Sequence, residues 1–230
     1  MKYGVICAMD EELAILKDSL ENSQRKEISG TQFFSGEINN QPVVLVKSGI
    51  GKVAAGINTA VLIDEFKVDA VINSGSAGGI GQGLKVGDIV ISTQTAYHDV
   101  DVTPAGYKIG QLPDCPQIFQ ASPTLVDGIS KAAKKSGLLT HQGLIVSGDQ
   151  FIADKKKIAI IKKNFPDALA CEMEGAAVGQ VAYMKKTPYV VIRAMSDVGD
   201  ENANQSFDEF IVEAGKRSGK MLINFFNSEK

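Results

Sequence analysis

The sequence contains no tryptophan, two histidines (His98 and His141) and three cysteines in 230 residues. Two histidines without carboxylates at metal-ligand spacing predict no metal centre. Cys7, Cys115 and Cys171 are odd in number, widely spaced and never in a C-x-x-C pair. That argues against a disulfide framework or zinc site and for reduced thiols in a cytoplasmic protein. No apolar run approaches the length needed to span a bilayer, and the segment from Met1 to Met9 is too short for a signal peptide and turns acidic at Asp10. Cationic excess is lacking as well. With 24 Lys and Arg against 27 Asp and Glu, the net charge of −3 offers nothing to nucleic acid or an anionic membrane. Lys155, Lys156, Lys157, Lys162 and Lys163 recur at helical spacing and read as a solvated helix face.

What is present is ordinary globular composition, 44% hydrophobic and 22% charged, enough for a sizeable core. Strand-like and helix-like runs alternate along the chain. Tyr3–Ala8 reads as a strand and Asp10–Glu21 as a helix with Leu13, Leu16 and Leu20 on one face. Gln32–Ile38 and Val43–Lys47 alternate around Asn39-Asn40, a hairpin turn. Further strands are expected at 70–73, 89–92, 143–146, 168–173 and 189–194, with helices near 52–66, 123–136, 154–164, 174–185 and 206–226. Residues 97–116 form a long irregular stretch with three prolines. The pattern predicts a three-layer α/β fold, one domain over residues 1–230, with a central sheet covered on both faces.

In open α/β sheets ligands bind beyond the carboxyl ends of the strands. Those ends carry Met9-Asp10-Glu11-Glu12, Ser76 to Gly79, Gly148 to Ile152, Glu172-Met173-Glu174 and Ser196-Asp197. Carboxylates, a Gly-rich stretch and apolar contacts suit a neutral polyhydroxylated ligand with an apolar part. Three nearby patterns lead elsewhere and fail. Gly49-Ile50-Gly51-Lys52-Val53-Ala54 matches a dinucleotide fingerprint, but the next strand ends in Asn73-Ser74-Gly75 and lacks the ribose-binding acid. Gly51-Lys52 is followed by Val53, so it is no phosphate-binding Walker loop. Ser74-Gly75-Ser76-Ala77-Gly78 lacks the first glycine of a nucleophile elbow.

Taken in order, Ala8 to Glu12, Lys47 to Ala54, Asn73 to Gly79, Val146 to Asp149, Glu172 to Glu174 and Arg193 to Asp197 closely resemble the 5′-methylthioadenosine/S-adenosylhomocysteine nucleosidases of the nucleoside phosphorylase superfamily. The resemblance covers essentially the whole chain. It implies an αβα fold with a mixed, partly barrel-like sheet, a homodimer, a small-molecule nucleoside substrate and no cofactor. It also implies that adenine is released by hydrolysis of the N-glycosidic bond. By the same resemblance Asp197 holds the adenine edge and protonates N7, and Glu12 is the base for water. Glu174 holds the ribose hydroxyls and Met173 lies against the sugar. Phe151 stacks on adenine, the Ile152 backbone and Gly78 lie along it, and Arg193 and Ser76 support carboxylates and water. Met9, Ile50 and Phe207 complete the substrate-binding set.

The chemistry agrees, because departure of a purine leaves oxocarbenium character on the ribose and negative charge on the base. Asp197 would then have to stay protonated through burial or a like-charged neighbour. Plainer roles exist for each group. Glu12 can complement a helix dipole, Glu174 can sit at an exposed edge, Asp197 can cap a turn, Phe151 can be core, and His98 reads as structural. A phosphorylase, a futalosine-type nucleosidase and a non-catalytic nucleoside binder share the fold. The three acids of the first loop would repel phosphate, which favours water. Val102 to Pro113 is expected near the dimer interface, closing the neighbour's 5′ pocket. Related sequences commonly carry Phe where this chain has Ala105, so that wall should be shorter here.

Overall fold

The structure, a computed structural model, describes residues 1–198 and 203–228, the side chains of 203–208 excepted. Among the described residues ten strands and six α-helices follow in the order β1 (Tyr3–Cys7), α1 (Asp10–Asp18), β2 (Glu21–Ile28), β3 (Thr31–Ile38), β4 (Gln41–Lys47), α2 (Lys52–Asp64), β5 (Ala70–Gly79), β6 (Ile89–Tyr97), β7 (Phe119–Gln120), α3 (Pro123–Lys135), β8 (Thr140–Ser147), α4 (Lys155–Asn164), β9 (Ala168–Glu172), α5 (Gly175–Lys185), β10 (Tyr189–Asp197) and α6 (Ala203–Ser228). The strands form one mixed sheet in the order β10-β6-β8-β9-β5-β1-β4-β3-β2. A further β10–β5 pairing closes five of them into a barrel. The expected mixed, partly barrel-like α/β architecture is the one observed.

Closure depends on a short antiparallel contact, Gly78 with Cys171 and Gly79 with Ala170, which joins β5 to β9 at the ends where both strands finish. Helices α1, α3 and α6 pack together beside the barrel, and α2 packs against α5. Tyr3 at the start of β1 meets Phe225 and Phe226 of α6, with ring centroids 5.6 and 5.3 Å away, so α6 is pinned to the sheet by buried aromatic area.

Several boundaries differ from the sequence expectation. The first helix stops at Asp18, and Glu21–Ile28 is a strand. Its residues are exposed up to Ile28, which is partly buried, so it carries no hydrophobic alternation by which to be recognised. It is nevertheless held by antiparallel pairing to β3 through a two-residue turn at Ser29-Gly30. The β3–β4 hairpin is as expected, with Asn39 and Asn40 both at positive φ (52° and 64°), the combination a type I′ turn requires. Strand β5 does not end at Asn73 in a Gly-rich loop but continues to Gly79, and β10 continues past Ala194 to Asp197.

Helix α6 crosses α1 unusually closely. A Cβ at Gly215 would lie 2.6 Å from the carbonyl oxygen of Glu11 and 3.0 Å from the Cα of Glu12. Alanine at this helical position gains about 1 kcal/mol of intrinsic propensity, but overpacking a tight contact costs about 1–3 kcal/mol. Gly215→Ala should therefore lower the melting temperature; a raised one would show that α6 does not press on the start of α1.

Candidate active site

The site lies where β1, β4, β5, β8, β9 and β10 end. A cavity opens there, with about 580 Å³ of empty space when its open mouth is included. Its walls include Met9, Glu12, Ile50, Ser76, Gly78, Phe151, Ile152, Met173, Glu174 and Asp197, ten of the residues expected from the sequence. Glu172, Ser196 and Cys171 join them. Arg193 stands behind the wall, bonded to Glu174, and the side chain of Phe207 lies outside the described residues.

Glu12 is placed by the first turn of α1 and is 1% exposed. One carboxylate oxygen accepts the Ala8 N–H at 2.9 Å and the Met9 N–H at 3.2 Å. The other accepts the Ser76 N–H at 2.9 Å and the Ser76 hydroxyl at 3.0 Å. The helix-start role and the cavity role thus coincide in one side chain. Burial pushes its carboxyl up, against the Arg193 charge and these donors, which pull it down. A raised carboxylate pKa is what a general base needs.

The run Ser74 to Gly79 is a strand with three glycines, two of which leave room for charged side chains. A Cβ at Gly75 would collide with the guanidinium of Arg193 and lie 2.7 Å from a Glu12 oxygen. One at Gly78 would lie 2.9 Å from an Asp197 oxygen. The β5–β10 register pairs Gly75 with Arg193 and Gly78 with Asp197, and a bulge between Met195 and Asp197 brings the acid opposite that glycine. Asp197 is 2% exposed and accepts the Ser196 hydroxyl at 3.0 Å.

Glu174 ends the β9–α5 junction. It accepts the Gly51 N–H at 2.9 Å on one oxygen and Arg193 at 3.2 Å on the other. Burial pushes its carboxyl up to about 7; Glu172 and Glu12 add to this, while Arg193 and the Gly51 N–H oppose it. Burial also opposes the charge of Arg193, but Glu172, Glu174 and Glu12 hold it protonated. The guanidinium also donates to Asn73 at 2.6 Å and to Glu172.

Glu172 is the organising residue that sequence reasoning left out of the site. It accepts from Arg193, from the Ser147 hydroxyl and from the N–H groups of Glu174 and Gly175 at the start of α5. An acid between a strand end and a helix start was the available signal. Cys171 lines the cavity, but burial raises its thiol pKa and keeps it protonated, so thiolate chemistry is not on offer. His98 is not on the cavity wall; burial lowers its pKa. Ala105 is exposed and does not line this chain's cavity. No group of three or more His, Cys, Asp or Glu among the described residues is arranged to hold a metal ion.

The chain is a closed mixed barrel with acids gathered at its strand ends, and the phosphorylase superfamily model matches its residues 2–227. A relative from Actinobacillus succinogenes, 5′-methylthioadenosine/S-adenosylhomocysteine nucleosidase, is 51% identical over 223 residues, 97% of each chain. The nucleosidase of Neisseria meningitidis, solved with methylthio-immucillin-A, is 46% identical with a TM-score of 0.97 over 99% of both chains. That of Colwellia psychrerythraea, solved with adenine, is 44% identical with a TM-score of 0.96, covering 98% of this chain and 94% of that one. The chain belongs to the 5′-methylthioadenosine/S-adenosylhomocysteine nucleosidase family.

Native Glu174 holds its proton to higher pH than the unfolded chain, so its contribution to stability is full below about 4.5 and lost as the pH rises through about 7. Glu174→Gln removes that loss. Between pH 5 and 8 the parent should lose melting temperature relative to the variant; a difference independent of pH would refute the raised carboxyl.

Proposed function

We propose that the chain hydrolyses the N-glycosidic bond of 5′-methylthioadenosine and S-adenosylhomocysteine, releasing adenine and the 5′-thioribose product. Glu12 takes a proton from the attacking water as oxygen bonds to C1′. The bond from C1′ to N9 breaks, its electron pair passes to the purine, and Asp197 supplies the proton at N7. Glu174 accepts hydrogen bonds from the ribose hydroxyls and offsets positive charge on the sugar. Phe151, 44% exposed at the cavity edge, stacks on adenine against Ile152, and Met9, Ile50 and Met173 surround the sugar and its 5′ tail.

One observation carries water over phosphate as the nucleophile. The described cavity wall holds Glu12, Glu172, Glu174 and Asp197 and no Lys or Arg. Arg193 is engaged with Glu172, Glu174 and Asn73 behind it. A dianion would meet a field of its own sign. Adenine release should therefore proceed at the same rate with or without phosphate, and a ribose 1-phosphate product would overturn the proposal. Glu12→Gln should cut turnover by about 10²–10⁴-fold while a substrate analogue still binds; turnover within a few-fold of the parent would remove Glu12 from the base role.

The working form is a homodimer in the cytoplasm. No helix among the described residues is long and apolar enough to cross a membrane. Ile50, Val53 and Ile57 at and along α2, with Tyr183 and Met184 on the neighbouring α5, expose an apolar face, Val53 to 73%. Such a patch marks an association surface. Ile50 belongs both to it and to the cavity wall; by the family resemblance, the partner's 102–113 segment closes the 5′ pocket there. Sedimentation should give a dimer at micromolar concentration; a fully active monomer would contradict this assembly.

A further inference from the structure

We propose that Asp99, Lys52 and Asp149 form a clasp that positions two cavity loops, keeping the Gly51 N–H on Glu174 and the Gln150–Ile152 wall against the ligand. The inference rests on the roles given above to Glu174 and Phe151. None of the three residues lines the cavity; they act through residues that do.

Asp99 follows β6, and a single oxygen of its carboxylate accepts both the Lys52 ammonium at 2.7 Å and the Asp149 N–H at 2.9 Å. Asp149 in turn accepts the Lys52 N–H at 2.8 Å, capping the start of α2 from a loop 97 residues away. Its second oxygen lies 3.7 Å from the Lys52 ammonium, which also stands 5.4 Å from the centroid of the Tyr97 ring. The Lys52 and Asp99 side chains are only 22% and 11% exposed, so this pair is less screened than a surface ion pair. Lys52 and its hydrogen bonds hold the Asp99 carboxyl below the usual carboxylate range although burial opposes this.

The geometry couples the clasp to the cavity through adjacent peptide groups. The N–H of Gly51 points to Glu174 and the next N–H, of Lys52, to Asp149. This divergence requires φ of 100° at Gly51, a conformation that favours glycine. A Cβ there would also lie 3.0 Å from an Asp149 oxygen. Gln150, Phe151 and Ile152 follow Asp149 directly onto the cavity wall. Glu174 is faced by Arg193 from β10, Glu172 from β9, Glu12 from α1 and the Gly51 N–H ahead of α2. Of these, the clasp governs the Gly51 N–H.

The test compares Lys52→Met, Lys52→Arg and Asp99→Asn with the parent and with Glu174→Gln. It measures kcat and KM for methylthioadenosine across pH, and amide hydrogen exchange. Lys52→Met and Asp99→Asn should raise KM and lower kcat/KM by about ten- to a hundred-fold. They should also move the acid limb of kcat/KM to higher pH, since Glu174 loses a donor that favours its charged form. Lys52→Arg should restore most of the loss. Exchange at residues 50–52 and 149–151 should quicken while that of β5 and β10 stays as in the parent. Parental KM and acid limb in both clasp variants, beside an impaired Glu174→Gln, would overturn the clasp alone. Unchanged exchange in both loops would overturn it too. Full activity of Glu174→Gln would overturn the reading of Glu174, and the clasp with it.

Discussion

Arg193 carries a full positive charge with no exposed surface, and the site is arranged around it. An isolated charge so buried would cost many kcal/mol, and pairing is what makes it tolerable. Glu172 and Glu174 supply the pairing, Asn73 takes a further hydrogen bond, and Glu12 contributes its charge nearby. The dependence is mutual. Without the guanidinium three carboxylates would be left in a low-dielectric interior, and removing one partner of such a pair typically costs about 3–5 kcal/mol. The cluster therefore constrains the barrel as well as the chemistry, because β5, β9 and β10 must all meet at one place.

That constraint explains the odd composition of β5. Seven residues at 73–79 include no large side chain, yet they lie in the middle of the molecule. The volume omitted at Gly75 is taken by Arg193 and Glu12, and that omitted at Gly78 by Asp197. A stretch that reads as a flexible loop is in fact a strand kept bare so that charged groups can approach its backbone. Glycine here provides space, and the neighbouring Ser76 provides two donors for Glu12, its N–H and its hydroxyl.

Much of this was legible in the sequence, and the exceptions have physical causes. The Asn39-Asn40 hairpin, the alternation of strands and helices and the acids at strand ends could be read from pattern, and residues chosen through family resemblance came together around one cavity. Strand β2 was missed because it is held by backbone pairing and buries almost no apolar face. The extensions of β5 and β10 were missed because small residues there signal a turn when read locally, and only the opposing charges show otherwise. Glu172 was passed over because its partners, Ser147 and Arg193, come from strands 25 and 21 residues away. Its apolar flanks and its place between a strand end and a helix start point to burial, but they do not name these partners.

The central claim is electrostatic: burial beside Glu172 and Glu12 raises the carboxyl of Glu174, and the buried Arg193 cation opposes it. The direct measurement is a carbon-13 NMR titration of the glutamate side-chain carboxyl groups, with Glu174 assigned from its Gln variant. The account predicts a Glu174 titration centred near pH 7. A midpoint at the ordinary glutamate value of about 4.3 would contradict it.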